Sequence, residues 1–220
     1  MKLNKQDIEN IFVAKLSGIA EYKNKDEIWW EADGTKATIE FLNDSTSFIK
    51  VRIYYESGNK KLEENYKNGE PHGNSVGWSK NRNKKWDYYY RDVKLHGKSI
   101  GWFEDGNKQW EYDYRNGKQH GNSISWYKNG NKCGEGNFQN DKPHGKMVGW
   151  YENGNKRLEA DYQNGKYHGK VFSWFKKGNK KCEDDFQNGK LHGKSIAWFE
   201  NGNKEYEEDY QNGKLIKTYR

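Results

Sequence analysis

The sequence predicts an all-β fold: a single-layer, elongated antiparallel sheet of stacked β-hairpins with a short N-terminal helical cap. Three observations support this. Histidine, tryptophan and lysine recur every 24 residues without insertions. Each 24-residue unit holds two tight-turn dipeptides. Only 32% of the residues are hydrophobic although 16% are aromatic. Aliphatic side chains are therefore too few for a thick core, and a thin sheet with aromatic faces fits better than a layered domain.

Composition excludes several classes of protein. The chain has 220 residues and a net charge of +7, but no apolar run of the length that a transmembrane helix needs. The N-terminus lacks the apolar core of a signal peptide. Cys133 and Cys182 are too few for a disulfide scaffold. We therefore expect a cytoplasmic protein.

Residues 1–27 are predicted to be an N-terminal helical cap. Asn4 can cap a helix over about residues 5–17, with Asp7 in its first turn. Its apolar stripe contains Ile8, Ile11, Phe12, Leu16 and Ile19. Such a helix would cover the first sheet edge, as terminal repeats require. A helix lying on a membrane surface is the alternative, which we disfavour because its polar face is not basic.

Residues 28–48 are interpreted as a degenerate first repeat, because Trp30, Gly34 and Lys36 keep the period but the His-Gly dipeptide is missing. Residues 49–220 form the regular array. At its far end Ile216 replaces the expected histidine and the sequence stops at Arg220. This uncapped C-terminal edge is expected to allow two chains to pair as a homodimer.

Each regular unit is predicted to be one hairpin. The unit that starts at His96 has turn dipeptides at Asp105-Gly106 and Asn116-Gly117, with strands over about 98–103 and 107–115. A three-residue loop over 104–106, with glycine in the left-handed conformation, pairs Phe103 with Asn107 and Trp102 with Lys108. A two-residue loop is the alternative, but it would put Trp102 and Trp110 on opposite faces.

The preferred register predicts what each sheet face carries. The first face would hold Ile100, Trp102, Lys108, Trp110, Tyr112 and Tyr114. The second would hold a Phe/Tyr row and an acidic row of Glu63, Asp87, Glu111, Glu135, Glu159, Glu183 and Glu207. Recurring aromatic side chains are the usual anchors of protein interfaces. The candidate partner-binding residues are Tyr55, Phe103, Tyr127, Tyr151, Phe175 and Phe199, together with Trp102, Trp126, Trp150 and Trp174.

The repeated polar rows do not predict catalysis. Equivalent histidines lie two strands apart, about 10 Å, which is too far for two of them to share a metal ion. We interpret His72, His96, His120, His144, His168 and His192 as structural turn anchors. The acidic row repeats in equivalent settings, whereas an active site needs one asymmetric pocket. The sequence therefore predicts no enzyme, no catalytic residue, no metal and no cofactor.

The unit HGKSIGWFEDGNKQWEYDYRNGKQ resembles the MORN repeat in its bacterial variant. The matching features are the Asn-Gly-Lys-x-His-Gly junction, the Gly-Asn-Lys turn and the aromatic residue before the next Asn-Gly. The resemblance covers about residues 49–215, and similar units occur in YwqK-type antitoxins. It implies an elongated hairpin ladder that serves as an interaction scaffold, and the antitoxin family implies neutralisation of another bacterial protein.

These observations together predict a non-enzymatic scaffold that binds and blocks or scaffolds another protein. An antitoxin-like or phage-type inhibitor of a bacterial effector is the favoured form, with a nuclease as the suggested target. The alternative is a scaffold that binds anionic lipid or nucleic acid. Lysine rows between aromatic rows are compatible with phosphate contact and base stacking, but each lysine row is accompanied by an acidic row.

Overall fold

A computed structural model of the chain describes residues 19–24, 27–32, 35–41 and 48–219, with side chains over 37–40 and 48–219. All regular structure in these residues is β-strand, so the predicted all-β fold of antiparallel hairpins is confirmed. The helix predicted over about residues 5–17 lies outside the described residues. Within them, no helix is long and apolar enough to cross a membrane. The chain divides into two compact units, residues 1–107 and 108–220.

Unit 1 is an antiparallel sheet in which strands that follow each other in the chain pair side by side. Its strands are β1 (Ile19–Asn24), β2 (Glu27–Ala32), β3 (Thr35–Phe41), β4 (Phe48–Tyr54), β5 (Lys60–Lys67), β6 (Glu70–Trp78), β7 (Lys84–Arg91), β8 (Lys94–Leu95) and β9 (Gly97–Trp102).

Unit 2 follows the same plan, with antiparallel pairing between successive hairpin strands. Its strands are β10 (Lys108–Arg115), β11 (Lys118–Trp126), β12 (Lys132–Gln139), β13 (Lys142–Pro143), β14 (Gly145–Trp150), β15 (Lys156–Gln163), β16 (Lys166–Trp174), β17 (Lys180–Gln187), β18 (Lys190–Trp198), β19 (Lys204–Gln211) and β20 (Lys214–Tyr219).

The predicted three-residue hairpin loop is present. The Phe103 N–H donates to the Asn107 carbonyl at 2.9 Å, and the Gly106 N–H donates to the Phe103 carbonyl at 3.0 Å. Gly106 has the left-handed φ of 91° that such a loop requires. The same register pairs tryptophan with lysine in other 24-residue repeats, as at Trp78–Lys84 and Trp126–Lys132. The predicted loop and its pairing are therefore confirmed.

The face assignment of the second strand is wrong, because a β-bulge follows the first lysine of that strand. Trp126 pairs with Lys132, but the next pair is Ser125 with Gly134, so Cys133 is an extra residue. One extra residue moves every later side chain of the strand to the opposite face. Glu135 therefore shares a face with Ile124. The acidic row therefore lies on the same sheet face as Trp126 and its equivalents in the other repeats. The rows of Trp110, Tyr112 and Tyr114 lie on the opposite face.

We name the two faces by their main side chains. In each unit the tryptophan face carries the tryptophan, lysine and acidic rows and a row of isoleucine or valine, in which Phe172 is the exception. Its tryptophans are Trp78 and Trp102 in unit 1 and Trp126, Trp150, Trp174 and Trp198 in unit 2. The tyrosine face is the opposite one; it carries Trp86, Tyr88 and Tyr90 in unit 1 and Trp110, Tyr112 and Tyr114 in unit 2. Small residues separate the aromatic side chains of the tyrosine face, as Ser75 and Gly77 do beside Tyr88 and Trp86.

A second irregularity forms at each His-Gly dipeptide. Tyr112 pairs with Ser123 and Tyr114 with Gln119, so three residues of β11 face Asp113 alone. The Asp113 carboxylate accepts a hydrogen bond from the Asn122 N–H at 3.0 Å. Gly121 has φ of 113°, and a Cβ there would lie 3.0 Å from the Asp113 side chain. Glycine after the histidine is thus required by both the backbone conformation and the space.

The opposite turns use two residues with positive φ, and Val93 is the unfavourable case. Asn116 and Gly117 have φ of 52° and 80°, whereas Asp92 and Val93 have 48° and 66°. A β-branched residue is strained in this region, while glycine is not. Asp141 occupies the same turn position with φ of 65°, but its carboxylate accepts a hydrogen bond from the Gln119 N–H at 2.8 Å.

Replacing Val93 by glycine is expected to raise the free energy of unfolding by about 1 kcal/mol, because it removes the left-handed strain of a β-branched residue. The matched variant Asp141→Gly should give no gain, because it also removes the hydrogen bond to Gln119. Urea unfolding followed by circular dichroism measures both variants. Equal effects would show that strain at Val93 is not the reason.

The hairpin of β2 and β3 departs from the later ones. In β2 and β3, Ala32 pairs with Thr35 and Trp30 pairs with Ala37. In the regular repeats the tryptophan pairs with a lysine six positions later, as Trp78 does with Lys84. β2 and β3 therefore pair with a register one residue different from that of the regular array.

Four buried apolar side chains of unit 1 lie on β3 and β4. Ala37, Ile39 and Ile49 are 0–1% exposed, and Val51 is 8% exposed. Ile39 pairs directly with Val51. In the regular repeats most aromatic side chains are only half-buried, so packing is denser at β3 and β4 than in the rest of the described chain.

Candidate partner-binding surface

The tryptophan face repeats one three-part contact between neighbouring hairpins. Each tryptophan ring lies under the ammonium group of the lysine eighteen positions earlier, as Trp150 does under Lys132. The six ammonium-to-ring distances are 4.9–5.8 Å. The same lysine pairs with the carboxylate three positions later at 2.5–2.8 Å. Cation–π contact and ion pairing thus connect each hairpin to the next.

A second cation reaches many of these carboxylates from the preceding strand. Lys146 lies 2.6 Å from Glu159, and Lys194 lies 2.7 Å from Glu207. Hydrogen bonds from two lysines lower the pKa of Glu159, and they lower the pKa of Glu207 to about 2. The same contacts raise the pKa of Lys146 and Lys194. Glu159 and Glu207 therefore each bind two lysine ammonium groups.

These shifted carboxylates predict a loss of stability in acid. A carboxyl whose pKa is lower in the folded state stabilises the fold above its unfolded pKa of about 4.3, and that contribution disappears as the pH falls through the folded pKa. Between about pH 4.5 and pH 2 the melting temperature should therefore fall. Glu207→Gln should reduce this fall in a series of thermal melts.

The matched control is Glu205→Gln on the same strand. Glu205 is exposed and makes no ion pair within the described part of the chain. Its neutral variant should leave the acid dependence unchanged. An equal effect of both variants would mean that net charge, and not the lysine contacts, governs the acid response.

The candidate tryptophans Trp102, Trp126, Trp150 and Trp174 are half-buried on the tryptophan face. Sequence reasoning missed that each one supports a lysine of the preceding hairpin. The signal was present as a constant spacing of three residues between that lysine and the acid, but the intervening bulge hid that both lie on one face.

The candidate tyrosines have a structural contact of their own. The hydroxyl groups of Tyr55, Tyr127 and Tyr151 donate hydrogen bonds to the carbonyls of Trp78, Trp150 and Trp174 at 2.8–2.9 Å. Each tyrosine therefore ties its loop to the next hairpin.

The phenylalanines of the same row, Phe103, Phe175 and Phe199, have no hydroxyl to donate, and Phe199 is 50% exposed. The Phe/Tyr row is thus less uniform than the tryptophan row. Its members are spread along the hairpin loops and do not converge on one site.

The histidines lie at the strand irregularities described above. The backbone N–H groups of His96 and His144 donate to the carbonyls of Tyr89 and Asn137. The His192 Nδ1 accepts a hydrogen bond from the Asn212 N–H at 3.4 Å. Where described, histidine, cysteine, aspartate and glutamate side chains form no group of three that could hold a metal ion. Cys133 and Cys182 are free thiols.

One groove of about 500 Å³ opens on the tryptophan face of unit 2. Its apolar side is formed by Ile124, Val148 and Trp150, and its polar side includes Asn122, Glu135 and Asn137. The volume is within the usual range of ligand-binding clefts. At this groove Asn122 and Asn137 occupy the positions that Lys146 and Asp161 occupy one hairpin later.

Comparison with known families connects this geometry to a repeat type. Residues 49–68, 119–140, 143–164 and 191–212 match the MORN repeat variant. Proteins with MORN repeats are typically non-catalytic binding scaffolds, and no enzyme family matches the chain. A search of curated proteins gives no match.

Proposed function

Because this chain is built from MORN-variant repeats, we propose that it is a non-enzymatic scaffold whose tryptophan face binds another protein. An antitoxin-like or phage-type inhibitor that acts in the cytoplasm on a bacterial effector is the form we favour, and a nuclease is the target class we suggest. The observation that carries the proposal is the regular row of half-buried tryptophans beside lysines that are held in ion pairs. Tryptophan is among the residues most enriched at protein-binding hot spots.

Pairing of the charged rows favours a protein over a polyanion. The lysines that lie over the tryptophans each bond a carboxylate of their own strand, as Lys156 bonds Glu159 at 2.6 Å. A phosphate backbone would have to compete with these carboxylates for each of the lysines that lie over a tryptophan. Binding of nucleic acid or anionic lipid depends on such lysines and weakens steeply with salt.

The experiment uses the full chain with an affinity tag in its native host. A captured protein is identified by mass spectrometry, purified and recombined with the chain. We expect a stoichiometric complex that persists from about 0.1 M to about 0.5 M NaCl, and loss of the captured protein's activity in that complex. Recovery of lipid or nucleic acid alone, or dissociation over this salt range, would contradict the proposal.

We also propose that two chains pair through the edge of β20, where Leu215 and Ile216 are 51% and 62% exposed. Their exposure is unusual for large aliphatic side chains in the described residues. Sedimentation analysis of the full chain should show a dimer that Ile216→Lys converts to a monomer. A monomeric wild-type chain at high concentration would refute the pairing.

A further inference from the structure

The groove of unit 2 lies where two charged side chains of the repeat are replaced by asparagine. Lys146 pairs across the strands with Asp161, whereas at the equivalent place one hairpin earlier Asn122 pairs with Asn137. The side-chain amides of Asn122 and Asn137 make no hydrogen bond within the part of the chain that the structure describes. Two uncharged donor–acceptor groups therefore face the groove in place of a lysine and an aspartate.

This exchange changes the environment of Glu135. Its equivalent Glu159 bonds two lysines, Lys146 and Lys156, and its side chain is 16% exposed. Glu135 bonds Lys132, its side chain is 44% exposed, and asparagine at position 122 is too short and uncharged to supply the second cation. The Glu135 carboxylate can therefore accept hydrogen bonds from a second cation, whereas the Glu159 carboxylate already binds two.

We propose that this groove binds an arginine side chain of the partner protein, with the guanidinium at Glu135 in the place that Lys146 takes at Glu159. The inference rests on the proposed protein-binding function and names the contact chemistry. The repeat itself provides the template, because Glu159, Glu183 and Glu207 each hold two cations. A partner would supply the second cation at Glu135, for which the described part of this chain provides Lys132 alone.

Arginine fits this groove better than lysine. Its planar guanidinium has five N–H donors, which match the carboxylate of Glu135 and the amide oxygens of Asn122 and Asn137. Its plane can lie against the apolar side that Trp150 provides. Unit 1 contains such an arrangement, because Arg52 contacts Glu40 at 2.7 Å and Glu63 at 3.0 Å at once.

The nearby lysines do not prevent this binding. Lys146 and Lys156 are both engaged by Glu159, and Lys132 is engaged by Glu135 and lies over the Trp150 ring. One added cation would give Glu135 the two-to-one ratio that Glu159 already has. The local charge would therefore match an arrangement that the chain itself uses.

The test is a nuclear magnetic resonance titration of the full chain with N-acetyl-arginine amide. We expect shifts at the side-chain amides of Asn122 and Asn137 and at the Trp150 indole. N-acetyl-citrulline amide has almost the same shape without the charge, and we expect it to bind at least about tenfold more weakly. Asn122→Lys supplies the cation within the chain and should weaken arginine binding by at least about tenfold.

Two variants keep the test independent of folding. Lysine is native at positions 146, 170 and 194 of the same row, so Asn122→Lys is compatible with the fold. The double variant Lys170→Asn, Asp185→Asn places the same asparagine pair two hairpins later in the chain, 48 residues after Asn122 and Asn137. It should create a second arginine site beside Glu183, detected as new shifts at the Trp198 indole.

Equal binding of the arginine and citrulline ligands, unchanged binding to Asn122→Lys, or shifts spread evenly over all the acidic positions would each overturn the inference. Failure here is distinct from failure of the proposed function. If a salt-resistant protein complex forms but the arginine ligand does not bind, the arginine assignment alone is wrong. If the arginine ligand binds but no protein partner is found, the scaffold proposal fails and the site stands.

Discussion

Replacing Ile39 by alanine is expected to lower the free energy of unfolding by about 3 kcal/mol, the typical cost of removing a large aliphatic side chain from a packed core. Ile39 is 1% exposed and pairs with Val51, which is 8% exposed. The neighbouring strand β4 also holds Ile49, which is 0% exposed. Truncation would therefore leave a cavity between groups that cannot easily close it.

Urea unfolding and hydrogen exchange of the β3 and β4 amides would measure this loss. Ile196→Ala is the matched control, because Ile196 is a half-buried side chain on the tryptophan face. Its removal leaves less empty space, and we expect a cost of about 1 kcal/mol. If the two variants lose the same stability, the dense packing at β3 and β4 is not a local feature.

The hairpin architecture follows from short-range signals that a sequence displays directly. Asn116-Gly117 and Asp105-Gly106 are dipeptides that tolerate positive φ, and both turns form as predicted. The register of the three-residue loop follows from the requirement that Gly106 be left-handed. These features depend on a few adjacent residues, so the sequence predicts them well.

The bulge after Lys132 could not be predicted in the same way. Cys133 is the extra residue there, and the residues at this position in other repeats include Lys61 and Gln109, which share no conformational preference. The expected gathering of apolar groups on one face favoured the simpler register. The structure instead separates the two tryptophan rows, so that Trp86 packs on Gly77 of the neighbouring strand.

The candidate site was partly accessible from sequence. Periodicity identified the tryptophan row, but its lysine and acidic contacts depend on a face assignment that the bulge reverses. The groove depends on Asn122 and Asn137 being cross-strand partners. That relation is visible only when the register of both irregularities is known, because Asn122 is the last residue of the three-residue irregularity that begins at His120.

Exchanging Gly77 for alanine is expected to cost about 2 kcal/mol through steric conflict with Trp86. A Cβ at position 77 would lie 2.4 Å from atoms of the Trp86 ring. The indole lies between Gly77 and Gly101, its partners on the two adjacent strands. The added methyl group would push the ring from the sheet and expose the apolar surface that it now covers.

Gly149→Ala is the control at the same repeat position. The nearest side-chain atom to a Cβ there belongs to the flexible Arg157 guanidinium, at 3.4 Å, and we expect a change within about 0.5 kcal/mol. Alanine is native at the equivalent Ala197, opposite Tyr206. In a Trp86→Leu background, the cost of Gly77→Ala should fall by at least about 1 kcal/mol, which a double-mutant cycle measures. An undiminished cost would show that the backbone at Gly77, and not the indole, requires glycine.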